Sequence, residues 1–155
     1  MMRTAIGAAL VAAVLAGCGT AAREDQISQE VEKSIQDADT RARESRTLSS
    51  LAKLEEAIAA AIAAEKRIPE SIEDLVPKYL ADVPTLELDV RGHRDNNLIR
   101  KYPASILMDG QIDGSQLKDT GRWGYVHNEH QVVIFIDCTH QSRHGHPWYM
   151  QHGVF

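Results

Sequence analysis

The pattern of apolar and polar positions divides the chain into three parts. Residues 5–16 are twelve uncharged residues that follow Arg3. From residue 24 to residue 67 there is neither glycine nor proline, and apolar residues recur every three or four positions, as they do on one face of a helix. After Pro69, short stretches alternate between apolar and polar residues, which is typical of strands. A long helix followed by short strands predicts an α+β fold.

The predicted helix changes character near residue 48. In residues 24–47 the large apolar residues form a narrow stripe among many charged ones, which predicts a polar helical stalk in solvent. From residue 48 the apolar face is broad and flanked by alanines, and it consists of Leu48, Leu51, Leu54, Ile58 and Ile62. We expect this face to pack on a small antiparallel sheet. A break in the helix between residues 39 and 50 is compatible with the pattern.

The clearest strand signal is a hairpin near the C-terminal end. Residues 122–127 and 131–137 are rich in apolar and aromatic residues and are separated by Asn128-Glu129-His130, which predicts a tight antiparallel turn. The second strand is apolar on both faces, so we expect it to be central in the sheet. One face carries Val132, Ile134, Ile136 and Cys138, and the other carries Val133 and Phe135.

Shorter elements are predicted from the remaining turn and alternation signals. Residues 70–76 are expected to make one or two helical turns, because they lie between two prolines and contain helix-compatible residues. Residues 86–90 alternate between apolar and polar residues and predict a strand. We expect a loop at 91–101, a short strand at 104–109 and a last short strand at 145–151.

The N-terminal apolar run ends in Leu15-Ala16-Gly17-Cys18. The run is too short to span a bilayer, which takes roughly 20 apolar residues, but it has the length of a signal-peptide core and ends in small residues. The combination resembles the lipobox of bacterial lipoprotein precursors. The resemblance implies a signal peptide at residues 1–17, cleavage before Cys18, and acyl chains such as palmitate on that cysteine. An ordinary secretory signal with a chance cysteine is the alternative interpretation.

The mature chain would begin with a lipidated tether, residues 18–23. Removal of residues 1–17 takes away only one basic residue and leaves 16 Lys and Arg against 22 Asp and Glu, a net charge of −6 with neutral histidines. An acidic chain without a basic stripe argues against a nucleic-acid partner, and the acyl chains would provide the membrane attachment. Gly19 differs from the Asp that retains lipoproteins at the inner membrane in enteric-type bacteria. We therefore expect the outer membrane, facing the periplasm.

The part of the chain after the stalk carries a further series of motifs. An alanine-rich helix ends at Ile68-Pro69, residues 72–80 are followed by Val83-Pro84, and Trp-Gly-Tyr stands at 123–125. These features resemble the soluble part of type IV pilins and of the major pseudopilin of type II secretion systems, which implies a pilin-like domain at residues 48–155. Pilins also carry about 20 apolar residues at their N-terminus, whereas this stalk is charged. The resemblance therefore implies a pilin-type head on a lipid anchor and not a filament subunit.

Six of the seven histidines lie in the last 29 residues. His144, His146 and the sequence Asp137-Cys138-Thr139-His140 contain ligand types that zinc and copper prefer. If Asn128-Glu129 forms a two-residue turn, His127 and His130 also face each other across the hairpin. No spacing matches a known metal motif, so exposed histidines and a buried, inert Cys138 are the alternative interpretation.

An acidic loop supplies a second set of candidate ligands. The stretch from Asp109 to Gly114 resembles the start of an EF-hand loop, with Asp109 and Asp113 as candidate calcium ligands. Thr120 stands where a bidentate glutamate is needed, so an ordinary Asp–Gly turn is the competing interpretation. The chain has no nucleophile elbow, no His-Glu-x-x-His motif and no phosphate-binding glycine loop. We therefore do not predict an enzyme.

These patterns lead to two hypotheses about function. The leading one is a lipid-anchored cell-envelope protein with a structural or interaction role near secretion or pilus machinery, with other envelope proteins as partners. The alternative is a periplasmic lipoprotein that handles zinc or copper through its C-terminal histidines. No cofactor is predicted apart from the covalent lipid at Cys18.

Overall fold

The structure of the protein, a computed structural model, describes the backbone of residues 18–154 and the side chains of residues 23–152. The predicted signal peptide and the Cys18 thiol lie outside these described residues. The chain divides into two compact units, with the boundary between Ala38 and Asp39. In the described part of the chain, no helix is both long and apolar enough to cross a membrane.

A single helix, α1 (Cys18–Glu65), runs through the predicted tether, the predicted stalk and the alanine-rich segment. It contains no break between residues 39 and 50. In the first unit every described side chain from Arg23 onward is exposed, including the apolar residues Ile27, Val31 and Ile35. The narrow apolar stripe is therefore solvated within this unit, as its pattern indicates.

The second unit contains a four-stranded sheet in the order β1 (Ile99–Tyr102), β4 (Arg122–His127), β5 (Val132–Asp137) and β6 (His152–Val154). A separate small pair joins β2 (Leu107–Met108) to β3 (Gln111–Ile112). The α+β class is confirmed. The four-stranded sheet is mixed, however, because β1 runs parallel to β4, and the expectation of a purely antiparallel sheet is wrong. The long connection between β1 and β4 allows this crossover.

The predicted hairpin is confirmed, but its turn is longer than predicted. His127 pairs with Val132, and the turn closes with the Asn128 amide donating to the Gln131 carbonyl at 2.9 Å. The Asn128 side chain accepts from the His130 and Gln131 amides at 2.8 and 2.9 Å. The two-residue turn that would place His127 opposite His130 therefore does not form, and His127 lies opposite Val132.

The sheet is buried on both faces. Leu51, Leu54 and Ile58 of α1 pack in one apolar cluster with the Ile134 and Ile136 face of β5, so the helix lies on the sheet as predicted. On the other face, a second cluster contains Ile106, Ile112, Val126, Val133 and Phe135. At Gly124 a Cβ atom would lie only 2.3 Å from the Phe135 ring, which explains the glycine between Trp123 and Tyr125.

Several of the short elements differ from their predictions. A short 3-10 helix at Ile72–Leu75 agrees with the predicted turns, and β2 lies within the predicted strand at 104–109. The predicted loop at 91–101 contains the start of β1. The sequence gives no strand signal there, because charged residues interrupt the apolar pattern. The predicted strand at 145–151 is instead a 3-10 helix, Trp148–Met150, that precedes β6.

Residues 86–90 do not form the predicted strand, because the chain folds back on itself. Leu86 and Asn96 exchange backbone hydrogen bonds of 2.7 and 3.2 Å, and we call residues 86–96 the 86–96 loop. Its base is anchored by the buried side chains of Leu86 and Leu88. At Glu87 it contacts α1 through an ion pair with Arg46 at 2.8 Å and a hydrogen bond from Thr47 to the Glu87 carbonyl at 2.6 Å.

Candidate metal centre

Four side chains from three separate segments converge in the second unit. They are His93 in the 86–96 loop, Asp119 in the connection before β4, and Cys138 and His140 directly after β5. One potential ligand atom of each residue lies within 4.8 Å of the ligand atoms of the other three. We call this group the His–Asp–Cys–His centre.

Three separations within the centre match the edge lengths of a metal tetrahedron. His93 Nε2 lies 3.4 Å from Asp119 Oδ1, and His140 Nδ1 lies 3.5 Å from Asp119 Oδ2. Cys138 Sγ lies 3.6 Å from His140 Nδ1. With ordinary zinc bond lengths to nitrogen, oxygen and sulfur, neighbouring ligands of a tetrahedral site are about 3.3–3.6 Å apart. Both histidine–carboxylate separations exceed the usual length of a direct hydrogen bond.

Cys138 forms the floor of the centre. It continues the inward face of β5 and is fully buried in the main apolar cluster. Burial raises the pKa of its thiol to about 12, so without a cation this cysteine is an unreactive, protonated thiol. A bound metal ion supplies the positive charge that stabilises the thiolate.

His93 contributes the observation that most directly favours metal coordination. Its side chain is only 6% exposed, and its buried Nε2 atom has no hydrogen-bond partner. Its ring packs edge-on against that of His140, with centroids 5.3 Å apart. Gly121 makes room for the ring, since a Cβ there would lie 2.6 Å from His93 Cγ. A buried polar atom without a partner costs about 1–3 kcal/mol, and metal coordination would remove that cost.

Asp119 is held in place by the backbone around it and by Asp137. Its backbone is left-handed, with φ of 52°, and its Oδ1 accepts from the Thr139 amide at 2.8 Å. The buried Asp137 carboxylate accepts from the Asp119 and Thr120 amides, both at 3.2 Å. Burial alone would raise the pKa of Asp119, but the Thr139 amide and the two histidines outweigh it and lower the pKa. Asp119 is therefore a carboxylate at neutral pH.

The centre is open to solvent on one side. The His140 side chain is 46% exposed and that of Asp119 is 33% exposed, whereas Cys138 and His93 lie beneath them. A metal ion can therefore reach the ligands from solvent, and the buried pair can then hold it against the end of β5. An accessible path and a full ligand set are both required of a metal site.

The centre contains only part of the set predicted from the sequence. His140 and its neighbour Cys138 belong to it, whereas the other histidine candidates lie elsewhere. In the region with described side chains, no second such group forms. Asp113 accepts hydrogen bonds from the Ser115 hydroxyl and the Gln116 amide at 2.6 and 2.8 Å, as expected of the ordinary turn. The candidates outside the centre are His127, His130, His144, His146, Asp109 and Asp113.

His93 and Asp119 are the ligands that sequence reasoning missed. His93 is the one histidine outside the C-terminal group, and it stands in a polar stretch with no apolar pattern around it. Asp119 is one of many acidic residues in turn-rich sequence. The only local signal was the cysteine–histidine pair at 138 and 140, because residues two apart after a strand can point to the same side.

Comparisons of the chain with protein-family models, curated proteins and solved structures found no match. The likeness to lipoproteins and to pilins therefore depends on the sequence motifs themselves. The metal centre depends on neither likeness, because it follows from the positions of four side chains.

Proposed function

We propose that this protein is a lipid-anchored envelope protein whose C-terminal domain binds one zinc ion at the His–Asp–Cys–His centre. The observation that carries the proposal is the buried Nε2 of His93, which makes no hydrogen bond and lies 3.4 Å from Asp119 Oδ1, with potential ligand atoms of Cys138 and His140 within 4.8 Å. Zinc accepts nitrogen, sulfur and oxygen ligands together and prefers four of them. Calcium and magnesium require mainly oxygen ligands, and this centre offers a single carboxylate.

The ligand set also favours a structural role for the zinc ion. Catalytic zinc sites keep a position open for water or substrate, whereas structural sites are closed by four protein ligands. Here four ligands are available, and they connect the 86–96 loop, the residues around Asp119 and the end of β5. Copper accepts the same donor types, so metal analysis must distinguish the two ions.

The proposed location is supported by the N-terminal sequence. The apolar run followed by Leu15-Ala16-Gly17-Cys18 favours acylation at Cys18 and the outer membrane facing the periplasm. In such an oxidising compartment an unpaired cysteine needs protection, and burial together with metal ligation would protect Cys138. Replacement of Cys18 by Ala should move the protein from the membrane fraction to the soluble fraction. Continued membrane association would contradict the lipid anchor.

A pilin-like head with an interaction role is the second candidate, and it is compatible with the zinc site. It is supported by contacts among the motifs that carry the resemblance. The Trp123 indole donates to the Pro84 carbonyl at 2.8 Å, and the Tyr125 hydroxyl donates to the Pro69 carbonyl at 2.5 Å. Pull-down of the native lipoprotein should recover components of a secretion or pilus complex, and recovery of none would count against this role.

Metal analysis of the full chain, purified in detergent, tests the zinc proposal. We expect one zinc per chain in the wild type and in His144→Ala, and none in His140→Ala. The two variants form a matched pair because both histidines are exposed, so neither change should disturb the core. Loss of metal in His144→Ala but not in His140→Ala would instead favour the C-terminal histidines as the metal ligands. If the purified protein contains one copper ion per chain and no zinc, copper is the metal of the site.

Cobalt provides a second readout at the same site. Cobalt(II) substitutes for zinc in tetrahedral sites and reports a bound thiolate by its sulfur-to-metal absorption. We expect this absorption in the wild type and its loss in Cys138→Ala, a change that keeps a small apolar side chain in the core. Cobalt binding without a thiolate band would show that Cys138 is not a ligand.

A further inference from the structure

We propose that zinc binding controls how firmly residues 40–47 of α1 pack against the domain, with the 86–96 loop as the connecting element. This inference rests on the proposed zinc site. It concerns residues 40–47 because they belong to the second unit and directly follow the unit boundary at Ala38 and Asp39. Zinc would thereby determine where the compact part of the protein begins along α1.

The 86–96 loop carries a zinc ligand and helix contacts within one short segment. Asp89, four residues before His93, accepts a hydrogen bond from the Thr40 hydroxyl at 2.5 Å. Asp95, two residues after His93, pairs with the Arg43 guanidinium at 2.5 Å. A change in the position of the His93 backbone should therefore move Asp89 and Asp95, the two carboxylates nearest to it in the loop that contact α1.

The tip of this loop, residues 91–95, is largely exposed. Arg91, Gly92, Arg94 and Asp95 are exposed, and His93 is the most deeply buried of residues 91–95. The contacts of the loop to Thr40 and Arg43 are exposed to solvent, and exposed pairs of this kind contribute little to stability. Segments with few buried contacts open locally without global unfolding. We therefore expect the tip to open readily when the centre is empty.

Zinc would join the tip to the rigid end of β5. Coordination of His93 together with Cys138 and His140 would connect the tip to two residues that follow β5. This strand lies in the interior of the sheet, between β4 and β6. Any opening that breaks this coordination is suppressed by the factor 1 + [Zn]/Kd, which is about 100 when zinc is present at 100 times its Kd. Suppressed opening of the tip keeps Asp89 and Asp95 in place for Thr40 and Arg43.

Hydrogen–deuterium exchange on the full chain in detergent tests this coupling. The chelated and the zinc-loaded protein are compared, and peptides from the β4–β5 hairpin serve as the internal reference. Zinc should slow exchange in the 86–96 loop by up to about 100-fold. A smaller but clear slowing, on the order of tenfold, is expected in residues 40–47, with little change in the hairpin.

A variant that uncouples the loop from the helix sharpens the test. Thr40→Ala combined with Arg43→Ala removes the helix contacts of Asp89 and Asp95, keeps those that Arg46 and Thr47 make with Glu87, and touches no proposed zinc ligand. It should bind one zinc and still show slower exchange in the 86–96 loop, while residues 40–43 no longer respond to zinc. Lys53→Ala, an exposed change elsewhere on α1, is the matched control and should behave as the wild type does.

The outcomes separate the two proposals. If zinc binds stoichiometrically but exchange in residues 40–47 is unchanged, the coupling is wrong and the zinc site stands. If residues 40–43 of the uncoupled variant still respond to zinc, the coupling does not pass through Thr40 and Arg43, and the inference is likewise wrong. If no zinc binds, both the inference and the proposed function fail.

Discussion

Two regions of the protein with candidate metal ligands differ in the burial of the ligands and in whether the ligands converge. In the C-terminal segment, His144 and His146 are neighbours in sequence, but both are exposed and join no converging group. In the His–Asp–Cys–His centre, the ligands come from three distant segments and converge around a buried thiol. The difference teaches that ligand density along a chain is a weaker indicator of a metal site than convergence on a rigid frame.

The supports of the two regions differ as well. Around the centre, Asp137 orients the Asp119 and Thr120 amides, and Gly121 leaves space for the His93 ring. In the C-terminal segment, the His144 amide donates a 3.3 Å hydrogen bond to the Ser142 hydroxyl, which does not orient the imidazole. Preorganised ligands lose less conformational freedom when the metal binds, so the centre should dominate binding.

The largest expected effect is the change in thermal stability when the metal is removed, and it tests whether the His–Asp–Cys–His centre is the metal site. With zinc at 100 times its Kd, binding stabilises the folded domain by about 2.7 kcal/mol. For a chain of this size that corresponds to a rise in Tm of roughly 5–10 °C. Chelation should therefore lower the Tm of the wild type by this amount, as measured by scanning calorimetry.

The variants of the two regions provide the controls for this shift. The double variant His144→Ala and His146→Ala should keep the full effect of chelation, whereas His140→Ala should lose it. Because His140 is half exposed, its replacement should leave the metal-free domain about as stable as the wild type. A chelation shift that disappears only in the double variant would reverse the comparison.

The support supplied by Asp137 predicts an intermediate effect. Asp137→Asn weakens the acceptor for the Asp119 and Thr120 amides without changing the size of the side chain. Loss of a partner that orients a ligand typically weakens metal binding about 10–100-fold, which should be visible in competition against a chelator of known affinity. Asp113→Asn, which changes a similar turn outside the centre, should bind zinc as the wild type does.

The result for Asp137→Asn requires two measurements, one of folding and one of zinc affinity. Since Asp137 is fully buried, circular dichroism must first show that Asp137→Asn is folded at the temperature of the titration. If the folded variant binds zinc as tightly as the wild type, the residues around Asp119 need no support from Asp137, and the contrast in preorganisation between the two regions is unfounded.

The smallest expected effect concerns Asp113 and its dependence on pH. Hydrogen bonds from Ser115 and then from Gln116 lower the pKa of Asp113 in the folded protein. A carboxyl group with a lowered folded pKa contributes stability above its unfolded pKa of about 3.9, and that contribution is lost as the pH falls through the folded value. Asp113→Asn should therefore lower Tm slightly at pH 7, with the difference vanishing in acid. Calcium that raises the wild-type Tm but not that of the variant would contradict the turn interpretation.

The fold was predictable where the periodic signal was long. Residues 48–62 repeat every three or four positions over several turns, and β5 is apolar on both faces, so the helix, the hairpin and their packing were predicted. β1 was missed because four residues that include Arg100 and Lys101 carry no strand pattern. The turn of the hairpin was missed because its length depends on a side-chain cap by Asn128.

The candidate site was predictable only where its ligands are close in sequence. Cys138 and His140 follow a recognisable strand, so their proximity follows from local geometry. His93 and Asp119 join them only because the 86–96 loop folds back and the residues before β4 are held by Asp137. No local sequence pattern predicts the folding of the 86–96 loop or the position of the residues before β4, since both depend on contacts between distant segments.

The sequence by itself determined the helix, the hairpin, the two-sided burial of β5 and the acidic, glycine-free segment at residues 24–47, because each depends on residues near one another in the chain. The N-terminal motif likewise determined the expected lipid anchor. Only the tertiary structure decided that His93 and Asp119 meet Cys138 and His140. The physical reason is that a buried, preorganised site requires distant segments to pack together, and their packing is set by the whole core and not by the spacing of the ligands.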